Sequence, residues 1–214
     1  MKSRDVARDS CLHAILDVDV AERAGWAPLD LGRAFLAAGA PLIQIRAKHL
    51  ASASLLDLVD RLVEIAAATG SSVIVNDRAD IARMSGAAGV HVGQDDVAPR
   101  EARAIVGRDA IVGYSTHTIE QVRAARAEPV SYIAVGPVFG TSTKDTGYEA
   151  VGLDLVSAAA DAAGPIPIVA IGGINLENAR SVLDAGAAAV AVISDLLTGG
   201  DPQRRIAAYM QALA

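Results

Sequence analysis

A chain in which short apolar segments and amphipathic segments alternate eight times is expected to fold as one α/β domain, a closed (β/α)8 TIM barrel. Eight apolar segments are present: CLHAILD (11–17), PLIQIRA (41–47), SVIVN (72–76), GVHVG (89–93), AIVGYS (110–115), YIAVGP (132–137), IPIVAIGG (166–173) and AAVAVIS (188–194). Most are apolar throughout rather than alternating, as parallel strands covered on both faces should be. A Gly-Ala pair shortly before three of them (39–40, 86–87 and 186–187) reads as one helix–loop–strand joint used repeatedly. The rival is an open doubly wound sheet. It would carry GxGxxG after its first strand, where DVDVAERAGWAP stands instead.

The stretches between strands carry helix punctuation. LDLGRAFLAAG (29–39) stops at a glycine, and SLLDLVDRLVEIAAATG (54–70) spaces Leu55, Leu58, Leu62 and Ile65 along one face before Gly70. PREARAIVG (99–107) opens with Pro99 at a first helical position. THTIEQVRAA (116–125) offers Thr118 as a cap, NLENARSVLDAG (175–186) offers Asn175, and DPQRRIAAYMQAL (201–213) opens with an Asp-Pro cap pair. The longest non-periodic piece is VFGTSTKDTGYEAVG (138–152), a candidate lid after the sixth strand. The barrel is thus expected to span 12–214, with 1–11 an N-terminal extension and a candidate for disorder.

With 214 residues, 52% of them apolar, the chain can bury a sizeable core; 3% aromatics make that core aliphatic and argue against stacking platforms for single-stranded nucleic acid. A net charge of −6 argues against a polyanion-binding surface, though not against a small basic pocket. Cys11 is the single cysteine, so an intrachain disulfide and a cysteine-rich metal site are both excluded, and a reducing, cytoplasmic setting fits. No apolar run is long enough for a membrane span. Oligomeric state is not readable from the pattern, which allows a homo-oligomer.

In a barrel the carboxyl ends of the strands share one face, where active sites sit. Those ends carry Gln44, Arg46 and Lys48; Asn76 and Asp77; Gln94, Asp95 and Asp96; Ser115 and His117; Thr141, Thr143 and Lys144; Gly172 and Gly173; and Ile193 and Ser194. Strands 3 and 4 are neighbours, so Asp77 and Asp96 can share a site. Two carboxylates completed by substrate oxygens suit Mg²⁺. Arg46 and Lys48 beside them suit a diphosphate, and backbone N–H groups after strands 7 and 8 suit a phosphate. Each feature also has a plainer explanation. Asn76-Asp77 could cap a helix, Asp95-Asp96 could favour a helix N-terminus, and Arg46 and Lys48 could form a solvated strand end. His91 falls mid-strand like a packed core residue, and His13 and His49 carry little signal.

The motifs QIRAK (44–48), VNDRAD (75–80), GVHVGQDD (89–96), GYSTHT (113–118), GPVFGTSTK (136–144), AIGGIN (170–175) and VIS (192–194) resemble, in order and spacing, the thiamine phosphate synthase (thiamine-phosphate pyrophosphorylase) family. The resemblance implies a transferase of thiamine biosynthesis. Its small-molecule substrates would be hydroxymethylpyrimidine diphosphate and hydroxyethylthiazole phosphate, joined with release of diphosphate by a Mg²⁺-assisted, carbocation-like substitution. It assigns Gln44, Arg46, Lys48 and Asn76 to the pyrimidine diphosphate, Asp77 and Asp96 to Mg²⁺, and Ser115 and Lys144 to the diphosphate. It assigns Thr141 and Thr143 to the thiazole substrate, with that substrate's phosphate on Gly173, Ile193 and Ser194. Lys144, Ser115 and Arg46 would support the departing diphosphate catalytically. Two positions depart from the family pattern. Ala47 stands for its Glu and Gly140 for its Pro. A thiazole tautomerase on the same barrel would instead use a His at the position of His117. A non-catalytic phosphate-ligand sensor would keep only the Gly173/Ser194 cradle.

Overall fold

The computed structural model describes residues 10–140 and 150–214. Eight parallel strands close in sequence order: β1 (Leu12–Asp17), β2 (Leu42–Arg46), β3 (Ser72–Asn76), β4 (Gly89–Val92), β5 (Ile111–Thr116), β6 (Tyr132–Val135), β7 (Ile168–Ile171) and β8 (Ala189–Val192). β8 pairs back onto β1, with Leu12 opposite Val190. Closure excludes the open doubly wound sheet.

The helices are α1 (Val18–Arg23), α2 (Pro28–Ala37), α3 (Ser52–Thr69), α4 (Ala79–Ser85), α5 (Pro99–Val106), α6 (Ile119–Ala125), α7 (Gly152–Ala163), α8 (Ala179–Asp184) and α9 (Pro202–Leu213), with a 3₁₀ turn at Ser194–Leu197. The punctuation works largely as expected. α3 stops at Gly70, whose φ of 75° only glycine adopts without strain. Its buried stripe is Leu55, Leu58, Val59, Leu62 and Ala66, with Ile65 half-buried at the edge. Pro99 opens α5, Thr118 accepts from the Gln121 N–H at 3.3 Å, and Asp201 accepts from the Arg204 N–H at 3.0 Å.

One helix was not foreseen, and one local expectation is corrected. The six-residue α1 follows β1 directly, because the Asp17 side chain accepts from the Val20 N–H at 3.0 Å and caps it. α8 starts at Ala179 rather than near 175. Asn175 and Asn178 first form a turn of their own, each side chain accepting a backbone N–H at 2.8 or 3.0 Å. Of the expected N-terminal extension, residues 1–9 lie outside the described residues. Ser10 is buried, its hydroxyl donating to the Leu12 carbonyl at 2.9 Å.

Strand alternation divides the core in two. One set of strand side chains, including Leu16 and Val90, packs outward against helix residues such as Phe35 and Leu62. The other fills the barrel interior, with Ile15, Leu42, Ile74, Ile111 and Val169 among them. Leu62 is fully buried, and truncating such a residue to Ala costs about 2–5 kcal/mol. The interior packing stops short of the strands' carboxyl ends, which leaves a cavity there.

Candidate active site

That cavity has a volume of about 360 Å³, enough for a small organic ligand. Gln44, Arg46, Lys48, Asn76, Asp77, Asp96, Ser115, Gly173, Ile193 and Ser194 all line it. The structure therefore gathers every expected site residue that it describes. Thr141, Thr143 and Lys144 lie outside the described residues, as does most of the expected lid 138–152.

The acidic side is built by two adjacent strands. Asp77 follows β3 and is the only non-glycine with positive φ among the described residues, at 64°. Its N–H donates to the His91 carbonyl of β4 at 2.7 Å, which holds this uncommon backbone in place. Asp96 lines the same wall, close enough for its carboxyl to interact with that of Asp77. The Asp96 carboxylate also accepts the Gly93 N–H at 2.7 Å. Burial raises the Asp96 carboxyl above the ordinary carboxylate range and Asp77 raises it further; Gly93 and Lys48 offset only part. The plain capping explanation fails for Asp77. α4 has no side-chain cap, and the Asp77 carboxylate instead accepts from the Lys48 ammonium.

The cations are paired. Arg46 donates to Asp17, which is 4% exposed, so the solvated strand-end explanation fails for it as well. Asp17, which supports Arg46 from outside the cavity lining, is a residue that the expected set lacks. The available signal was a carboxylate ending a barrel strand, as Asp77 does one residue past β3. Ala47 packs with the helix-side core rather than the cavity, as alternation requires.

Across the cavity, the Gly172-Gly173 turn and the start of the 3₁₀ turn stand side by side because β7 and β8 are paired. Gly173 has φ 63°, and a Cβ there would lie 2.6 Å from the Gly140 carbonyl oxygen, so only glycine fits. Asp195 ties these loops together. It accepts from the Leu176 N–H at 3.2 Å, from Arg205 at 2.8 Å and from the Tyr209 hydroxyl.

The cavity floor holds residues that sequence patterning treats as core. His13 is fully buried, and neither of its ring nitrogens has a hydrogen-bond partner among the described residues. Burial, reinforced by His91, pushes its pKa down to about 3, so the ring is neutral. His91 bonds to Tyr132 and to Ser115, both at 2.8 Å. His117 also lines the cavity, its Nδ1 2.6 Å from the Gly136 carbonyl.

Among the described residues, no three His, Cys, Asp or Glu side chains cluster as metal ligands. Two neighbouring carboxylates, one of them reluctant to ionise, suit a hard cation that takes its other ligands from water and substrate. They do not suit a closed all-protein site.

The sequence of the chain matches the model of the thiamine monophosphate synthase family over residues 20–196. The thiamine-phosphate synthase of Acidothermus cellulolyticus is 44% identical over 200 residues, covering 93% of each chain. That of Koribacter versatilis is 42% identical over 204 residues, covering 94% of this chain and 95% of its own. A solved structure described as thiamine phosphate pyrophosphorylase from Pyrococcus furiosus superposes with a TM-score of 0.86 at 28% identity, covering 96% of each chain. Matched over most of its length in both sequence and structure, the chain belongs to the thiamine monophosphate synthase family.

Proposed function

We propose that this protein condenses hydroxymethylpyrimidine diphosphate with hydroxyethylthiazole phosphate, forming thiamine phosphate and diphosphate. One observation carries the proposal. A single cavity presents the Asp77/Asp96 pair with Arg46 and Lys48 on one wall and the Gly173/Ser194 turn on the other. A substrate pair with a diphosphate at one end and a phosphate at the other matches that polarity.

Asp77 and Asp96 would hold Mg²⁺, which supplies neutralising charge to the diphosphate. Arg46 and Lys48 would exchange their present carboxylate partners for diphosphate oxygens. Gln44 and Asn76 would orient the pyrimidine end. Ser115 would donate to the leaving group, and Lys144 would add a cation to it. Gly173, Ile193 and Ser194 would seat the thiazole phosphate, with Thr141 and Thr143 beside the thiazole substrate. Donors set in place before reaction stabilise the leaving group's charge as it develops. Departure leaves an electron-poor pyrimidine methylene, which the thiazole nitrogen captures; excluding water protects it. No side chain is required as nucleophile or general base.

A coupled assay for thiamine phosphate and released diphosphate, with and without Mg²⁺, tests the proposal. Asp77→Ala and Asp96→Ala should each collapse turnover. Wild-type turnover in both variants across a Mg²⁺ titration would overturn the metal role. A chain that only interconverts thiazole phosphate isomers would be the tautomerase instead, with His117 as its proton carrier. Cys11 as the lone cysteine suits a reducing, cytoplasmic compartment. Among the described residues, no helix is long and apolar enough to cross a membrane.

A further inference from the structure

We propose that Tyr132 and His91 form a fixed-polarity hydrogen-bond relay that makes Ser115 a donor towards an anionic ligand oxygen in the cavity, with His91 and Tyr132 as positioning residues. The inference rests on the proposed role of Ser115 at the diphosphate. Three neighbouring strands build the relay. His91 of β4, Gly113 of β5 and Tyr132 of β6 stand in one row of the sheet. Gly113 has no side chain to separate the other two. A Cβ at Gly113 would lie 2.1 Å from Tyr132 Cζ and 2.5 Å from His91 Nδ1. The two rings therefore meet across it, nearly parallel at 22° with centroids 5.6 Å apart. His91 Nε2 then reaches Ser115 Oγ on the cavity wall at 2.8 Å.

The direction of the relay follows from satisfying each proton. Tyr132 is 1% exposed. Its hydroxyl has His91 Nδ1 as its partner, 2.8 Å away. If Nδ1 carried the proton and donated, the phenolic O–H would be buried with no acceptor among the described residues, a costly arrangement. Burial also pushes the Tyr132 pKa up, so the phenol keeps its proton. Tyr132 therefore donates to Nδ1, the His91 proton sits on Nε2, and Nε2–H donates to Ser115 Oγ. With that lone pair engaged, the Ser115 O–H is the group left to point at a ligand. The opposite tautomer would draw the Ser115 proton towards the imidazole and turn an oxygen lone pair towards an anion. The leaving diphosphate would then meet repulsion where the relay supplies a hydrogen bond.

Two measurements test this. The first is ¹⁵N NMR of histidine-labelled wild-type protein, with His91 assigned through His91→Gln. The Nε2–H tautomer is expected, and the Nδ1–H tautomer would overturn the inference whatever the enzyme's reaction. The second is a double-mutant cycle read as diphosphate release at saturating substrates. His91→Leu and Ser115→Ala should each lower the rate by about tenfold or more, and the double variant should fall no further than Ser115→Ala alone. His91→Gln, which keeps a donor amide where Nε2 stands, should recover most of the rate. Losses that multiply, or His91→Gln as slow as His91→Leu with melting unchanged, would overturn the relay. Tyr132→Phe is a second route should His91→Leu fail to fold. It should lower the rate in the Ser115 background and not in Ser115→Ala, and equal losses in both would count against the relay. A wild-type chain that releases no diphosphate would overturn the functional proposal instead, and the tautomer alone would then decide the inference.

Discussion

His13 should make the fold acid-sensitive in a way that one substitution removes. Its ring is fully buried with both nitrogens unpartnered among the described residues, and its pKa is held down at about 3. In the unfolded chain the same imidazole titrates near the ordinary value of about 6.5. Between those values the unfolded state binds a proton that the folded state refuses, so stability falls as pH drops below about 6.5 and levels off below about 3. At pH 7.5 both states are neutral and the contribution is close to zero. At pH 5.0 the pKa of the unfolded chain lies about 1.5 units above the pH, which at 1.36 kcal/mol per unit is about 2 kcal/mol lost. The figure depends little on the folded value, provided that it lies well below 5. His13→Phe keeps a ring edge-on to Tyr132, where the His13 ring now sits at 5.1 Å and 89°, and has nothing to titrate. Urea unfolding of both proteins at pH 7.5 and at pH 5.0 provides the test. The wild type should lose about 2 kcal/mol more than the variant over this interval, about 1 M in midpoint at an m-value of about 2 kcal/mol per M. Taking differences cancels any constant packing effect of the larger ring. Equal losses would show that His13 takes up protons in the folded state and would refute the reasoning.

Asp77 separates stability from function: Asp77→Gly should relieve the φ of 64°, leaving urea stability unchanged or higher by up to about 1 kcal/mol while turnover collapses. Lower stability with intact turnover would contradict both halves. Asp17→Ala strips the partner from Arg46 and should cost about 3 kcal/mol in chemical unfolding; a loss below about 1 kcal/mol would mean that Arg46 finds solvent at once. Because the Asp96 carboxyl titrates above its usual range, protons compete there with a divalent cation. Calorimetric binding of inorganic diphosphate in Mg²⁺ should therefore strengthen as pH rises above the ordinary carboxylate range. Asp96→Asn should flatten that rise, and an unchanged slope would place the coupling elsewhere.

The fold was legible because parallel strands are apolar on both faces and the helices between them carry their own start signals at Thr118 and Asp201 and a stop signal at Gly70. α1 was not, since six residues hold too few turns to show a period, and its cap is the residue that ends β1. The start of α8 was misplaced because Asn175 bonds to the Glu177 and Asn178 amides, in a turn that a capping residue resembles in sequence. The cavity wall was legible for a topological reason. Closing the barrel sends every strand's carboxyl end to one face, so Gln44, Asp77, Ser115 and Gly173 had to converge once the strands were recognised. The floor was not legible. His91 looks like a packed core residue, Tyr132 opens an apolar strand, and His13 near the start of β1 carries little signal. Their chemistry comes from meeting side chains on other strands, which no local pattern encodes. Asp17 falls between the two cases: its position was visible, but its partner Arg46 is 29 residues away.

The charges of this cavity would let an acidic protein handle the two anionic substrates proposed for it. Its lining carries Arg46 and Lys48 against Asp77, Asp95 and Asp96, and Asp17 holds Arg46 from behind. Without a ligand each cation is therefore held by a carboxylate, and Asp96 neighbours Asp77. A diphosphate entering alone would have to separate Lys48 from Asp77 and Arg46 from Asp17 while facing the exposed acids. A divalent cation between Asp77 and Asp96 would remove the repulsion that raises Asp96 and would release Lys48 from its present role. Cation and diphosphate should therefore favour each other's binding, even though each changes the charge of the site in the opposite direction. The wall proposed for the phosphate would need no such exchange, since its Gly172-Gly173 turn carries no charged side chain. Its placement is fixed by the pairing of β7 with β8 and by Asp195, which grips Leu176, Arg205 and Tyr209 together. The two walls thus differ in kind, one switchable and one rigid. That difference suits a reaction in which one substrate loses its anionic group and the other keeps it.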